Sequence, residues 1–203
     1  MSREEEDGIK VTLLGNTGVG QTCIIQKFVN NTFSPQTETT LVSNCSEKDL
    51  EIDGKKIKLN LWDTAGQEQY RSLGRLFYKD SHIVILVYDI MIKDTFEAIK
   101  NIWYNDLKTF GEKDNIIALV GNKSDCYEKE EVAENEAREY AKQINAHFFL
   151  VSAQNGNNIN VLFSTLAKEY LGAEFSKKMK EIEEEKGEKT KIKNIEKKKG
   201  HCC

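Results

Sequence analysis

Five short apolar segments, separated by stretches with helical spacing, constrain this chain's fold most strongly. They are Ile9–Leu14, Lys56–Trp62, Ile83–Tyr88, Ile116–Val120 and Phe148–Val151. Four of them lack alternation between apolar and polar residues, as strands buried on both faces of a sheet do. Since strands that alternate with helices form parallel sheets, the expected class is α/β.

The second segment differs because its apolar residues alternate, which leaves one face to solvent. Asp53-Gly54, just before Lys56–Trp62, is a strong two-residue hairpin signal. Leu50–Ile52 is therefore expected to pair with Lys56–Trp62 in an antiparallel arrangement. This sixth strand completes a mainly parallel six-stranded sheet flanked by helices.

Four stretches show helical spacing. Asp94–Glu97 resembles a capping box, and a stripe of apolar residues follows it. The stripe consists of Phe96, Ile99, Trp103, Leu107 and Phe110. The other three predicted helices are Thr22–Val29, Val132–Ile144 and Asn157–Leu171.

Charge and cysteine content exclude several classes of protein. The 203 residues include 29 Lys and Arg against 33 Asp and Glu, a net charge of −4, which argues against a protein whose whole surface binds nucleic acid. The longest clean apolar run has six residues, and a membrane span needs about 20. Three of the five cysteines are scattered through the body of the chain, which favours a reduced, cytosolic protein without a zinc site.

A glycine-rich segment, Gly15–Thr22, lies between the first strand and the first helix. Its sequence GNTGVGQT fits the phosphate-loop pattern GxxxxGK[ST], except that Gln21 stands in the lysine position. Backbone N–H groups of such a loop and the following helix N-terminus attract phosphate. Taken alone, the segment is also compatible with an ordinary glycine-rich turn.

Two further segments follow strand ends and favour the phosphate-loop interpretation. In DTAGQ, Asp63 can hold a magnesium ion, Gly66 lets a backbone N–H approach a terminal phosphate, and Gln67 can orient an attacking water. In NKSD, the Asp125 carboxylate can accept two hydrogen bonds from guanine, a pairing that adenine does not offer.

A fourth segment, Ser152-Ala153, follows the last strand and can offer the Ala153 N–H to the guanine carbonyl oxygen. All four segments are expected at the carboxyl ends of strands, where open α/β sheets bind ligands. The sequence therefore predicts a guanine-nucleotide site at this edge.

The motifs GNTGVGQT, WDTAGQE, NKSD and SAQ together resemble those of Ras-like small GTPases. KLNLWD, YRSL, LFYKDS, LVYDI and the terminal Cys202-Cys203 are similar to features of the Rab subfamily. The resemblance runs from about Gly8 to Leu171 and implies a small G domain over residues 8–172. It also implies a flexible N-terminus, 1–7, and a flexible tail, 173–203.

The resemblance implies a switch that binds GDP and GTP with Mg²⁺ and recruits effectors in its GTP form. Thr22 and Thr40 would meet the magnesium, with Asp63 in its outer shell, although Thr39 is an alternative to Thr40. Gln67 would be the catalytic residue. The full implied nucleotide-binding set is Gly15, Asn16, Thr17, Gly18, Val19, Gly20, Gln21, Thr22, Cys23, Phe33, Thr40, Asp63, Gly66, Asn122, Lys123, Asp125, Ser152, Ala153 and Gln154.

The chain departs from the family pattern at several positions. Gln21 lacks the charge of the usual lysine, which predicts weaker nucleotide binding and slower hydrolysis. By the resemblance, Asn31–Cys45 and Asp63–Lys79 match the two switch segments of the family. In the first of them Leu41-Val42 and Cys45 replace the usual Ile-Gly and aromatic residue, so the effector surface is expected to differ. Gln154 stands where a lysine usually lies along the base.

The tail carries 10 Lys and 6 Glu between Ser176 and Lys199 and predicts a disordered tether. By the resemblance, geranylgeranyl groups on Cys202 and Cys203 would anchor the protein to the cytoplasmic face of an intracellular membrane, with a cytosolic pool. The implied partners are an exchange factor, a GTPase-activating protein, a GDP-dissociation inhibitor or escort protein, and effectors. A monomer is expected, without nucleic acid.

Three functions remain compatible with the sequence. The first is a membrane-anchored GTPase that regulates vesicle traffic and hydrolyses GTP slowly. The second is a pseudo-GTPase that acts as a lipidated adaptor, which Gln21 favours and the presence of Asp63 and Gln67 opposes. The third is another phosphate-loop enzyme such as a small kinase, which Asn122–Asp125 argues against.

Overall fold

The computed structural model describes residues 8–34, 44–64 and 79–177. Its strands are β1 (Ile9–Leu14), β2 (Asn44–Ile52), β3 (Lys55–Asp63), β4 (Ile83–Asp89), β5 (Ile116–Asn122) and β6 (His147–Leu150). Its helices are α1 (Gln21–Asn30), α2 (Lys93–Ala98), α3 (Tyr104–Phe110), α4 (Glu134–Gln143) and α5 (residues 159–177). A π-helical turn, Ile99–Trp103, joins α2 to α3, and a 3-10 helix, Ser124–Lys129, follows β5.

The six strands form one sheet in the order β2-β3-β1-β4-β5-β6. Strand β2 runs antiparallel to β3, and every other neighbouring pair is parallel. The predicted six-stranded, mainly parallel α/β sheet is therefore confirmed. All seven residues of β4 are buried. The first six, Ile83 to Tyr88, form the unbroken apolar run that predicts this burial, and Asp89 ends the strand.

Alternate side chains of β4 point to opposite faces of the sheet. Leu86 and Tyr88 share a buried cluster with Phe96 of α2 and with residues of the π turn, α3 and α4. Elsewhere, the rings of Phe28 on α1 and Phe163 on α5 stack with their centroids 3.9 Å apart. The helices thus pack their apolar side chains against the sheet.

Two details of the predicted helix after β4 are wrong. Helix α2 begins at Lys93 with Ile92 as N-cap and without a side-chain cap, so the capping box at Asp94–Glu97 does not form. The Thr95 hydroxyl instead donates to the Ile92 carbonyl at 2.6 Å. Phe110, predicted on the apolar stripe, is 39% exposed at the end of α3.

The chain divides into two units between Ala167 and Lys168. The sequence-based division at residues 7 and 172 stays a prediction. Within the described ranges, no helix combines the length and the apolar character that crossing a bilayer requires.

Candidate functional site

The loop Gly15–Thr22 connects β1 to α1 and has no room for side chains at two of its glycines. A Cβ at Gly15 would collide with the Val87 carbonyl of β4. Gly20 has a φ of +95°, and a Cβ there would collide with the side-chain amide of Asn122. Gly18 also has a positive φ, of +83°. These residues fold the loop tightly over the end of the sheet.

Two residues at the end of β5 hold this loop directly. The Asn122 side-chain amide donates to the Val19 carbonyl at 2.8 Å, and the Lys123 ammonium donates to the Gly18 carbonyl at 2.9 Å. Lys123 also forms an ion pair of 2.6 Å with the buried Asp89 at the end of β4. The structure therefore brings the NKSD segment and the glycine-rich loop together, as the sequence predicts for one shared site.

The Gln21 side chain points back into the protein. It is 5% exposed, and its amide nitrogen donates to the Leu13 carbonyl at 3.1 Å and to the Thr64 hydroxyl at 3.5 Å. The Thr64 hydroxyl donates to the same carbonyl at 2.7 Å. The amide protons are thus engaged with acceptors of the protein, and no positive charge stands at this position.

Two oxygen-bearing side chains meet beside Gln21. The Thr22 hydroxyl, at the start of α1, donates to Asp63 Oδ2 at 2.7 Å, and Asp63 is buried at the end of β3. Hydroxyl and carboxylate oxygens are the hard ligands that Mg²⁺ prefers, so this pair fits the ion. Among the described residues no group of three or more His, Cys, Asp and Glu side chains converges, so such a site would need the hydroxyl, water and phosphate oxygens as well.

The carboxylate proposed to read the base lies just after β5. Burial raises the pKa of the Asp125 carboxyl, but hydrogen bonds from Ser152 and Cys126 more than offset this effect and hold the pKa below its usual value of 3.8. The Ser152 hydroxyl donates to Asp125 Oδ1 at 2.5 Å, and the Cys126 thiol lies 3.4 Å from Oδ2. Asp125 is therefore an ionised acceptor at neutral pH.

Four further predicted site residues, Ala153, Phe33, Gln154 and Cys23, lie among the described residues. The Ala153 N–H donates to Asn122 Oδ1 at 3.2 Å. Phe33 is 37% exposed, Gln154 is exposed, and the Cys23 thiol lies 3.9 Å from the Ser34 carbonyl. Thr40, Gly66, Gln67, Cys202 and Cys203 lie outside the described residues, and so does the alternative magnesium ligand, Thr39.

Comparisons with known proteins assign this architecture to a family. The model of the Ras family matches residues 10–172. Human Rab-22A is 39% identical over 160 residues, which are 79% of this chain and 82% of that protein. Human Rab-30 is 36% identical over 168 residues, 82% of each chain. Rat Rab-19 is 36% identical over 163 residues, 80% of this chain and 75% of that protein.

The chain belongs to the Ras family, in its Rab subfamily. Members of this family are small GTPases that bind GDP and GTP with Mg²⁺, and Rab proteins act in membrane traffic. The predicted resemblance is therefore confirmed. In this Rab-like chain Gln21 takes the position that the phosphate-loop pattern gives to lysine.

Three residues that contact the site were not among the predicted site residues. Asp89 holds Lys123, Thr64 accepts from Gln21, and Trp103 donates its indole N–H to Asn16 Oδ1 at 2.7 Å. Asp89 lies at the end of a buried strand, as Asp63 does. The signal that identified Asp63 could therefore have identified Asp89 as well. The helical stripe indicates only burial for Trp103, so the sequence carries no signal for its polar contact.

The Asn122 contacts predict a measurable effect on stability. In the nucleotide-free Rab-like protein, Asn122→Ala should lower the free energy of unfolding by about 1–3 kcal/mol, because the Val19 carbonyl and the Ala153 N–H lose their partner. Urea unfolding measures the change. Asn160→Ala, an exposed change on α5, is the matched control and should stay within about 0.5 kcal/mol of wild type. Equal stabilities of the two variants would contradict this interpretation.

Proposed function

We propose that this protein is a Rab-like small GTP-binding protein that cycles between GDP and GTP forms and regulates vesicle traffic, with weakened nucleotide affinity and slow hydrolysis. The observation that carries the proposal is the double attachment of the glycine-rich loop by Asn122 and Lys123. This attachment supports a phosphate-binding role for the loop, which is linked in this way to the strand that the ionised Asp125 follows. A guanine base on Asp125 would then have its phosphates on the loop.

The proposed roles follow the chemistry of each group. Backbone N–H groups of the loop would bind phosphate oxygens, and Thr22 and Thr40 would hold Mg²⁺ with Asp63 behind them. Bound Mg²⁺ would neutralise charge on the phosphates. Gln67 would orient the water that attacks the γ-phosphate of GTP. The other nucleotide contacts that we propose are Cys23, Phe33, Gly66, Ser152, Ala153 and Gln154.

Gln21 supports the weakened affinity. A lysine here would add charge-assisted hydrogen bonds to the phosphates, and losing one costs about 1.5–3 kcal/mol, or about ten- to more than a hundredfold in affinity. The Gln21 amide already donates to Leu13 and Thr64, so reaching a phosphate would break these bonds. Hydrolysis would slow as well, because charge neutralisation in the transition state is reduced.

The inward contacts of Gln21 also favour a second candidate, a pseudo-GTPase that binds guanine nucleotide as a lipidated adaptor and scarcely hydrolyses it. Single-turnover hydrolysis of preloaded GTP separates the two. A slow GTPase should lose at least about tenfold in rate with Gln67→Ala, because the attacking water is no longer oriented. Equal rates in wild type and Gln67→Ala, with and without an activating protein, would establish the pseudo-GTPase.

We further propose that the tail tethers the domain to the cytoplasmic face of an intracellular membrane through geranylgeranyl groups on Cys202 and Cys203. Regulation would require an exchange factor, an activating protein, a GDP-dissociation inhibitor or escort protein, and effectors, each acting on a monomer. One lipid chain binds a membrane only marginally, whereas two lipid chains anchor it stably. The Lys-rich segment before the cysteines would add attraction to anionic lipids.

Replacing Cys202 and Cys203 with serine should move the protein from the membrane fraction to the cytosol. Fractionation of cells that express the tagged full chain measures this, with Cys45→Ser as the matched thiol control. Membrane association that survives the double replacement would contradict the anchor.

A further inference from the structure

The helical segment between β4 and β5 changes its hydrogen bonding in the middle. Across Ile99–Trp103 the turn is π-helical, and the Tyr104 N–H donates to the Ile99 carbonyl, five residues back. The turn contains one residue more than a regular α-helical turn, which rotates the following side chains by about 100°. Such π turns occur often at functional sites. The residue that ends this one is Trp103.

Trp103 is anchored in the core and reaches the glycine-rich loop. Its side chain is 4% exposed within the cluster that contains Phe96 and Leu107. At its polar edge the indole N–H donates to Asn16 Oδ1 at 2.7 Å, across 87 positions of sequence. A rigid ring with one well-made hydrogen bond fixes the half-buried Asn16, the second residue of the loop.

This bond complements the two contacts from the end of β5. Lys123 and Asn122 hold the carbonyls of Gly18 and Val19, in the second half of the loop. Trp103 holds the first half through the side chain of Asn16. The three donors bind three different residues of the loop, so both its first and its second half are held by the rest of the protein.

We propose that Trp103 is a positioning residue that preorganises the phosphate loop for the phosphates of a nucleoside diphosphate. The proposal rests on the nucleotide binding proposed above and adds a residue to its machinery. Donors that are ordered in advance lose little freedom on binding, which raises affinity. Because Gln21 supplies no charge, the backbone N–H groups of the loop carry a larger share of phosphate binding, and their order matters more.

A double-mutant cycle on the full chain tests the proposal. Trp103→Phe and Asn16→Ala should each weaken the affinity for GDP with Mg²⁺ by about three- to tenfold, the range of one lost hydrogen bond. The double variant should lose no more than one single variant, because both remove the same bond. Trp62→Phe, the same replacement on β3, is the matched control and should retain wild-type affinity. Unchanged single variants or fully additive losses would overturn the proposal.

Amide hydrogen exchange of the nucleotide-free protein gives a readout that does not depend on nucleotide. Peptides that cover residues 15–20 should exchange about three- to tenfold faster in Trp103→Phe and Asn16→Ala than in wild type, while β4 peptides remain protected. Asn16→Asp, which keeps an acceptor oxygen, should restore protection. If the wild-type protein binds no GDP, the proposed function is contradicted. If amide hydrogen exchange of the loop is the same in the variants as in wild type, the role proposed for Trp103 is overturned.

Discussion

Replacing Asp125 with asparagine is expected to weaken the affinity for GDP by about 10²- to 10⁴-fold. The carboxyl is ionised at neutral pH, since burial raises its pKa but the hydrogen bonds from Ser152 and Cys126 outweigh burial and hold the pKa below its usual value. It can therefore accept from both the ring N–H and the exocyclic amine of guanine. An asparagine amide would face the exocyclic amine with its own N–H groups, which leaves two donors opposed and unpaired.

The same replacement should create affinity for xanthosine diphosphate, because xanthine carries a carbonyl where guanine has the amine. Isothermal titration of GDP and of xanthosine diphosphate, each in the presence of Mg²⁺, measures this change in nucleotide preference. Asp53→Asn, at the β2–β3 hairpin, makes the same chemical change away from the site and should leave GDP affinity unaltered. If Asp125→Asn binds GDP as wild type does, Asp125 does not read the base.

Replacing Gln21 with lysine is expected to raise GDP affinity by about ten- to a hundredfold, through about 1.5–3 kcal/mol of charge-assisted hydrogen bonding. The ammonium would give up the contacts with Leu13 and Thr64 and turn towards the phosphates. The effect should be larger for GTP than for GDP if the lysine reaches the γ-phosphate as well.

Dissociation rates of a fluorescent GDP analogue and equilibrium titration of GDP and GTP measure this gain. Gln143→Lys adds the same charge at the end of α4, away from the loop, and controls for net charge. Equal affinities of wild type and Gln21→Lys would show that the missing charge does not limit binding, and the proposed weakening would be abandoned.

Sequence patterns predicted β4 and β5 well, because both have largely unbroken apolar sequences and are mostly buried. Strand β6 was predicted from the same kind of pattern, but all four of its residues are only half-buried. Strand β2 was predicted only at its last three residues. It runs over nine residues, Asn44–Ile52, at the edge of the sheet, where exposed residues such as Glu47 and Asp49 carry no apolar signal. Its pairing with β3 instead defines the strand.

The sequence predicted those site residues that lie at or just after the end of a strand. Asp63, Asn122 and Asp125 were identified in this way, and Asp89 carries the same signal. The inward direction of the Gln21 amide depends on the carbonyl of Leu13 and the hydroxyl of Thr64, which is 43 positions away. The Trp103–Asn16 bond depends on a π turn, and spacing does not reveal either contact.

Guanine selectivity of the wild-type chain is the most direct test of the central claim, which is that this Rab-like chain binds guanine nucleotide despite Gln21. Equilibrium dialysis of labelled GDP with Mg²⁺, against unlabelled GDP or ADP as competitor, measures it. We predict saturable binding that unlabelled GDP displaces and that a roughly hundredfold excess of ADP does not. Absence of saturable GDP binding, or equal displacement by ADP, would contradict the claim.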